Sequence, residues 1–300
     1  MYAGASVGIP APRTIVLPDG RTLAWMEYGD PCGRPVLYCH GFPSSSLEAR
    51  FTEYAAAARG IRVIAPDRPG YGHSDPTPER PLAAWAGDVA VLLDALGFDR
   101  VAVLGVSGGA PHALACCVML RQRIAAVALV APLGPLADIG TTAGLSGLGR
   151  LSAHLAREHP AAQAALFRLI GLGLRAAPAT VFPLLVAGAP ATDRALLRDR
   201  DTRAIWIQAL RNALRQGAAS AVRDMRRYVA PWGFTLESVA CPVYIWHGHA
   251  DSVVPPMHGR VYAARLPHAL AHWIPDEGHF AVPLRHIDAI LSELGGCSPN

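Results

Sequence analysis

Short, continuously apolar stretches alternate with stretches of helical periodicity along most of the chain. Runs such as PVLYCHG from Pro35 and AAVALV from Ala125 are typical of parallel strands buried on both faces. In PLAAWAGDVAVLLDALG, apolar residues recur at helical spacing from Leu82 to Leu96, and Gly97 ends the pattern. The alternation predicts an α/β fold with a mostly parallel central sheet flanked by helices.

Other segments extend this pattern towards both ends of the chain. The stretch TIVLPDGRTLAWMEYG predicts a hairpin around Asp19 and Gly20, because side chains alternate on either side of a turn dipeptide. Ser46 is a suitable cap for a helix that runs to Ala58. The remaining predicted strands are IRVIAPDR, RVAVLGVS, PVYIWHG and HALAHWIP, and the remaining predicted helices of this part cover residues 109–120, 257–266 and a last segment ending at Leu294.

The alternation stops between residues 135 and 234, where only helical patterns occur. We therefore divide the chain into a core of residues 1–134 and 235–300 and an all-helical insertion of residues 135–234. The predicted helices of the insertion are 145–159, 161–175, 181–188 and 191–228. Its aromatic and aliphatic residues, among them Ile205, Trp206, Ile207, Leu210, Phe167, Phe182 and Trp232, are expected mostly to pack the insertion against the core, and none is assigned to binding.

The charge composition excludes several classes of chemistry. All 27 basic residues are arginine, which rules out a Walker-type phosphate lysine, a Schiff-base lysine and a Ser-Lys dyad. The net charge is only +4 and the arginines are scattered among acids, so nucleic acid is not an expected partner.

The sequence predicts a cytoplasmic protein without a membrane partner. Its first residues, MYAGASVGIPAPRT, lack the charged and continuously apolar regions of a secretory signal. The two longest uncharged runs, 101–120 and 176–192, are interrupted by glycine or proline and do not resemble spanning helices.

No cofactor or metal site is expected. The cysteines form no CxxC pair and are interpreted as free thiols in a reducing compartment. His247 and His249 are spaced as H-x-H, but no third ligand stands at metal-site spacing. The six cysteines are Cys32, Cys39, Cys116, Cys117, Cys241 and Cys297.

The strongest chemical signal is Gly105-Val106-Ser107-Gly108-Gly109, between a predicted strand and a predicted helix. It fits G-x-S-x-G, in which a serine stands on a tight turn and the residues two before and two after it must be small. The following helix directs its amides and positive dipole end towards this turn. A glycine-rich phosphate loop is the alternative, but G-x-G-x-x-G requires glycine where Ser107 stands.

A serine nucleophile needs a base, and the base needs an orienting acid. His279 in PDEGHF follows the last predicted strand, and Asp251 in HGHADSVVP follows the strand before it. Parallel strands bring their carboxyl ends to one edge of the sheet, so Ser107, Asp251 and His279 are expected to meet there.

With these motifs in order, nearly the whole chain resembles the α/β-hydrolase fold superfamily, in its serine-nucleophile branch with a helical cap. The resemblance rests on HGFP at 40–43, DRPGYGHSD at 67–75, GVSGG, HGHAD and EGHF. It implies that the backbone amides of Phe42 and Gly108 form an oxyanion hole, and that the insertion is the cap. His40 is expected to hold the oxyanion loop, and Gly105 and Gly109 support the turn.

The resemblance implies a serine hydrolase acting on an ester, thioester or lactone of a small to medium, mainly apolar molecule. Serine at the elbow argues against the branches that attack with a carboxylate, such as epoxide hydrolases. Two alternatives stay open: non-hydrolytic use of the same site, as in acyl transfer, carbon-carbon bond cleavage, lyase or cyclase chemistry, and a small-molecule receptor. An exposed apolar part of the insertion would be available for a homodimer.

Overall fold

The structure, a computed structural model, describes residues 11–139 and 144–296. Residues 1–10, which form most of the stretch expected to lack a secretory signal, lie outside the described residues, as does Cys297. Residues 140–143 of the predicted insertion also lie outside them. Within the described part of the chain, no helix is long and apolar enough to cross a membrane.

An eight-stranded sheet forms the centre of the described chain, in the order β1-β2-β4-β3-β5-β6-β7-β8. β1 and β2 form the predicted hairpin, β2 is antiparallel to β4, and all the other pairs are parallel. The predicted fold class is therefore confirmed. The strands are β1 Arg13–Val16, β2 Thr22–Gly29, β3 Arg34–Cys39, β4 Ile61–Pro66, β5 Val101–Val106, β6 Ile124–Val130, β7 Val243–Gly248 and β8 Ala269–Ile274.

Helices cover both faces of the sheet, because the central strands are apolar on both sides. Alternate residues of β5 enter different clusters, with Val103 among the side chains on one face and Leu104 among those on the other. The core helices are α1 Glu53–Ala58, α2 Trp85–Ala95, α3 Ala110–Met119, α11 Pro256–Arg265, α12 Ala281–Arg285 and α13 Ile287–Gly296. The first face of the sheet packs against α2, α3 and α11, and the second face packs against α1 and α13.

The prediction that Ser46 caps the first helix is wrong. Ser46 begins a 3₁₀ segment, Ser46–Thr52, that leads into α1, and Ser45 occupies the cap position without a side-chain hydrogen bond. The Ser46 amide is instead satisfied by the carboxylate of Asp67, at 2.7 Å, in the loop after β4. A tertiary contact has replaced the local cap that the sequence suggested.

Between β6 and β7 the described chain is helical, as the pattern predicts. The long predicted helix 191–228 is three helices, interrupted at residues 197–199 and near Gly217, whose φ is +101°. The helices of this region are α4 Leu136–Ile139, α5 Gly147–Glu158, α6 Pro160–Ala176, α7 Pro178–Leu185, α8 Ala191–Leu196, α9 Arg200–Ala213 and α10 Ala219–Val229.

Candidate active site

Ser107 lies on a strained turn between β5 and α3, at the carboxyl edge of the sheet. Its φ is +52°, a left-handed conformation that few non-glycine residues adopt. A Cβ at Gly105 would lie 2.8 Å from the Ala113 Cβ, and one at Gly109 would lie 2.0 Å from the Cys39 carbonyl oxygen. Both glycines are therefore required for the close approach of strand and helix, as the G-x-S-x-G pattern predicts.

The structure brings Ser107, His279 and Asp251 into one hydrogen-bonded chain. The Ser107 Oγ lies 3.0 Å from the His279 Nε2, and the His279 Nδ1 lies 2.8 Å from the Asp251 Oδ2. All three side chains are almost completely buried. This is the arrangement in which an imidazole can remove a serine proton while a carboxylate holds the opposite nitrogen.

Asp251 is held so that one oxygen remains for the histidine. Its Oδ1 accepts hydrogen bonds from the amides of Val253 at 2.9 Å and Val254 at 2.8 Å. Burial would raise the pKa of Asp251, but the His279 charge and hydrogen bonds from His247 and His279 lower it far below its usual range. Asp251 is therefore a carboxylate with a fixed orientation at neutral pH.

The charge on Asp251 also acts on the imidazole. Burial lowers the pKa of His279, but the charge and hydrogen bond of Asp251 outweigh this effect and raise it. The imidazole is thus an effective proton acceptor, and its protonated form is stabilised by the neighbouring carboxylate.

Phe42 and Gly108 lie against each other next to Ser107. A Cβ placed on Gly108 would be only 3.4 Å from the Phe42 nitrogen, and both residues line the same cavity. Gly108 is in the 3₁₀ turn Ser107–Gly109 that leads into α3, and amides at the start of a helix have no acceptor inside it. Backbone amides and the positive end of a helix dipole are suited to stabilising a developing negative charge.

Three side chains hold the backbone that leads to Phe42. The His40 Nδ1 lies 3.0 Å from the Gly41 carbonyl oxygen, and its Nε2 accepts a hydrogen bond from the Arg68 amide. The Arg68 guanidinium donates to the carbonyls of His40 and Gly41. Glu48 binds the Gly41 amide with both carboxylate oxygens, at 3.2 and 3.1 Å. The loop is therefore fixed at both its donors and its acceptors.

Helix α10 of the insertion also supports this backbone. Arg68 Nε donates to Asp224 at 2.9 Å, and both side chains are about 2% exposed. The Tyr228 hydroxyl donates to the Gly108 carbonyl at 2.8 Å, and the His112 Nδ1 lies 3.3 Å from the same oxygen. Sequence reasoning missed Arg68, Asp224 and Tyr228. Arg68 stands inside the DRPGYGHSD motif, but nothing in the sequence links it to a residue 156 positions later.

We expect Asp224→Asn to lower the free energy of unfolding by about 3–5 kcal/mol, because it leaves Arg68 buried without its counter-charge. Burial would raise the pKa of Asp224, yet the Arg68 charge brings it to about 2. The folded pKa is thus below the unfolded one, so the stabilisation is complete above about pH 4 and is lost as the pH falls towards 2. Urea titration of both proteins measures the difference.

The matched control is Asp94→Asn, which disrupts the Arg123–Asp94 pair, where the aspartate is 67% exposed. That pair should contribute less than about 1 kcal/mol. Equal decreases in the free energy of unfolding of the two variants would show that the buried Arg68–Asp224 pair contributes no more than an exposed pair.

Ser107 opens onto a cavity of about 410 Å³ between the sheet edge and the helical insertion. Among the described residues that line it, the ionisable ones are Glu48 and His279, and most of the wall is apolar. Four residues to which we assigned no binding role lie in this wall. They are Phe167, Phe182, Trp206 and Leu210, whereas Trp232 packs in the core against the sheet.

The other two histidine motifs of the sequence, those around His247 and His73, make hydrogen bonds that hold loops in place. His247 Nε2 lies 2.9 Å from the Val254 carbonyl oxygen, so it supports the Asp251 loop. The amide of His73 donates to Asp67, and Asp75 binds the Thr22 amide, which agrees with a structural turn at that motif. Within residues 11–139 and 144–296, no three histidine, cysteine, aspartate or glutamate side chains are grouped as metal ligands would be.

Comparison with known proteins gives a family match over most of the chain. The sequence model described as alpha/beta hydrolase fold matches residues 34–285. Among curated proteins, an epoxide hydrolase of Caballeronia sordidicola is 38% identical over 112 residues, which are 36% of this chain and 33% of that protein.

A longer alignment joins the chain to the dihydrolipoyllysine-residue acetyltransferase component of the acetoin cleaving system of Cupriavidus necator. The two are 29% identical over 251 residues, which are 82% of this chain and 59% of that protein. The chain therefore spans less than two thirds of the length of both curated relatives.

A similar fold occurs in the solved structure of a thermophilic esterase from Thermogutta terrifontis. The TM-score is 0.63 at 23% identity, and the alignment covers 97% of this chain and 100% of the esterase. At this identity the likeness concerns the fold.

Proposed function

The chain belongs to the alpha/beta hydrolase fold family, and from this premise we propose that it is a serine hydrolase that cleaves an ester, thioester or lactone of a small to medium, mainly apolar molecule. One observation carries the proposal: the Ser107 Oγ stands 3.0 Å from the His279 Nε2 at the wall of a largely apolar cavity. The hydroxyl thus has a base on one side and space for an acyl group on the other.

In the proposed first half-reaction, the Ser107 oxygen attacks the carbonyl carbon while His279 takes the hydroxyl proton. Asp251 holds the imidazole in the tautomer with its proton on Nδ1 and stabilises the imidazolium. The carbonyl oxygen becomes an oxyanion between the amides of Phe42 and Gly108. His279 then gives its proton to the leaving alcohol or thiol, and an acyl-enzyme remains on Ser107.

In the second half-reaction, water replaces the leaving group. His279 removes a proton from the water, the hydroxide attacks the acyl carbon, and the second oxyanion occupies the same two amides. Collapse of this intermediate returns the proton to Ser107 and releases the acid. Atoms balance with one water consumed for each ester bond broken.

The residues that line the cavity favour an uncharged substrate. Its volume of about 410 Å³ lies in the range of small-molecule pockets. Arginine is absent from its described lining, and the lining carboxyl group of Glu48 would repel an anionic acyl chain. A neutral ester with an aliphatic or aromatic acyl part fits this wall best.

Epoxide hydrolysis, the activity in the name of one relative, is not our proposal. Position 107 presents a hydroxyl that needs a base, and His279 is placed to serve as that base. Acyl transfer, the activity in the name of the other relative, would share the acyl-enzyme and differ only in the acceptor.

We expect a fluorophosphonate to add one adduct mass to the protein at Ser107, located by peptide mass spectrometry. Neutral p-nitrophenyl esters of medium chain length should be hydrolysed faster than an ester with a free carboxylate in its acyl part. A protein with no adduct at Ser107 would overturn the proposal. An adduct without hydrolysis of any ester would overturn the role of water as acceptor, and would favour transfer to another nucleophile.

A further inference from the structure

A short segment of the helical insertion, residues 188–193, contacts both loops that carry the histidine and the aspartate. On one side, the Ser252 hydroxyl, next to Asp251, donates to the Gly188 carbonyl at 2.7 Å. On the other, the Asp193 carboxylate accepts hydrogen bonds from the amides of Phe280 at 3.1 Å and Ala281 at 2.8 Å. These two amides directly follow His279 and begin helix α12.

Asp193 lies in α8 and is completely buried. A buried carboxylate is tolerated when donors satisfy both oxygens, and here one backbone amide satisfies each. The insertion also lies close to Gly278, the residue that precedes His279. A Cβ on Gly278 would lie 2.4 Å from the Asp193 Oδ2 and 2.3 Å from the Pro190 Cγ. The backbone before His279 therefore packs closely against the insertion, and the backbone after it is hydrogen-bonded to the insertion.

We propose that Asp193 is a positioning residue for His279: the insertion supplies a second carboxylate that fixes the histidine loop and stabilises the imidazolium formed during catalysis. This inference rests on the proposed serine-hydrolase function and adds to it a residue outside the Ser107–His279–Asp251 chain. Asp193 does not touch the substrate or the reacting atoms. It acts through the backbone of residues 278–281 and through its charge.

Three carboxylates from three different elements contribute negative charge in the surroundings of the imidazole, and Asp251 alone is hydrogen-bonded to it. Asp251 comes from the loop after β7, Asp193 from α8, and Glu48 from the 3₁₀ segment before α1. Burial lowers the pKa of His279, whereas these three carboxylates raise it, Asp251 most strongly. Burial, together with the Asp251 charge, raises the pKa of Asp193 above its ordinary value, although the two amides and the imidazole act in the opposite direction.

The arrangement couples the position of α8 to the histidine loop of the core. Moving α8 away from the sheet edge would break two amide hydrogen bonds next to the base and remove a charge from its surroundings. The cavity wall and the proton-transfer group are thus parts of one unit.

The test compares wild type with Asp193→Asn, which keeps the side-chain shape and one acceptor oxygen but removes the charge. We expect kcat/KM at the optimum to fall about 10- to 100-fold, mostly through kcat, because the base is less well placed and its protonated form less stabilised. The acid limb of the pH profile should move to lower pH, because the His279 pKa falls when a neighbouring negative charge is removed. Loss of packing alone would expose the imidazole and, because burial lowers its pKa, would move this limb the other way, to higher pH.

Asp199→Asn is the matched control, since Asp199 is an exposed aspartate of the same insertion that also caps a helix, at the Thr202 amide. It should leave kcat and the pH profile unchanged. The rate of fluorophosphonate labelling at each pH serves as a second readout and does not depend on the choice of ester. If wild type is not labelled, the proposed function fails. If wild type is labelled but Asp193→Asn reacts at the same rate with the same pH midpoint, the role of Asp193 is wrong.

Discussion

Replacing Ser107 by alanine is expected to lower kcat for a neutral p-nitrophenyl ester by about three to six orders of magnitude. The variant has no oxygen to form the acyl-enzyme, whereas the amides of Phe42 and Gly108 remain in place. The residual rate should therefore stay above that of the uncatalysed reaction. The fluorophosphonate adduct should disappear completely.

Measuring the thermal stability of Ser107→Ala distinguishes loss of the nucleophile from misfolding of the variant. Ser107 is only 9% exposed, and alanine removes a single oxygen without adding volume, so the midpoint of thermal unfolding should change little. Ser238→Ala, at an exposed serine far along the chain, is the control and should keep wild-type activity. A Ser107→Ala protein that retained more than about a tenth of the wild-type rate would show that another group is the nucleophile.

The sequence predicts the sheet well because its strands carry strong local signals. β5 and β6 are continuously apolar and are completely buried, and the hairpin of β1 and β2 has a turn dipeptide at its centre. Ser107, Asp251 and His279 each follow a strand, so parallel pairing alone was enough to predict that they lie at one edge. Their hydrogen-bonded geometry at 2.8 and 3.0 Å then agrees with the expected order of contacts.

The sequence could not predict contacts between segments that are far apart in the chain, because no local pattern links the two partners. Asp193 looks like an ordinary residue in the first turn of a helix, and Asp224 like one charge on an arginine-rich helical face. Each is buried against backbone or arginine from the core, 87 and 156 positions away for Phe280 and Arg68 respectively. The same holds for the cavity wall, because the packing of α6, α7 and α9 decides which apolar residues face Ser107.

Asp251→Asn is expected to lower kcat about 10⁴-fold while the protein stays folded. The asparagine oxygen can still accept from the amides of Val253 and Val254, now bound at 2.9 and 2.8 Å, so the loop retains its acceptor. The amide nitrogen then faces His279 Nδ1 and donates to it. The imidazole must consequently carry its proton on Nε2, where it can no longer accept the proton of Ser107.

Steady-state kinetics at neutral pH and the rate of fluorophosphonate labelling measure this effect, which should appear in both. Asp276→Asn is the control, because Asp276 is exposed and adopts a φ of +57° that asparagine accepts readily. It changes the same charge three residues before His279 and should leave kcat within about a factor of two, as expected for a surface charge. Near-wild-type labelling of Asp251→Asn would mean that Ser107 is activated without the His279 tautomer that Asp251 selects, and the proton relay proposed here would be wrong.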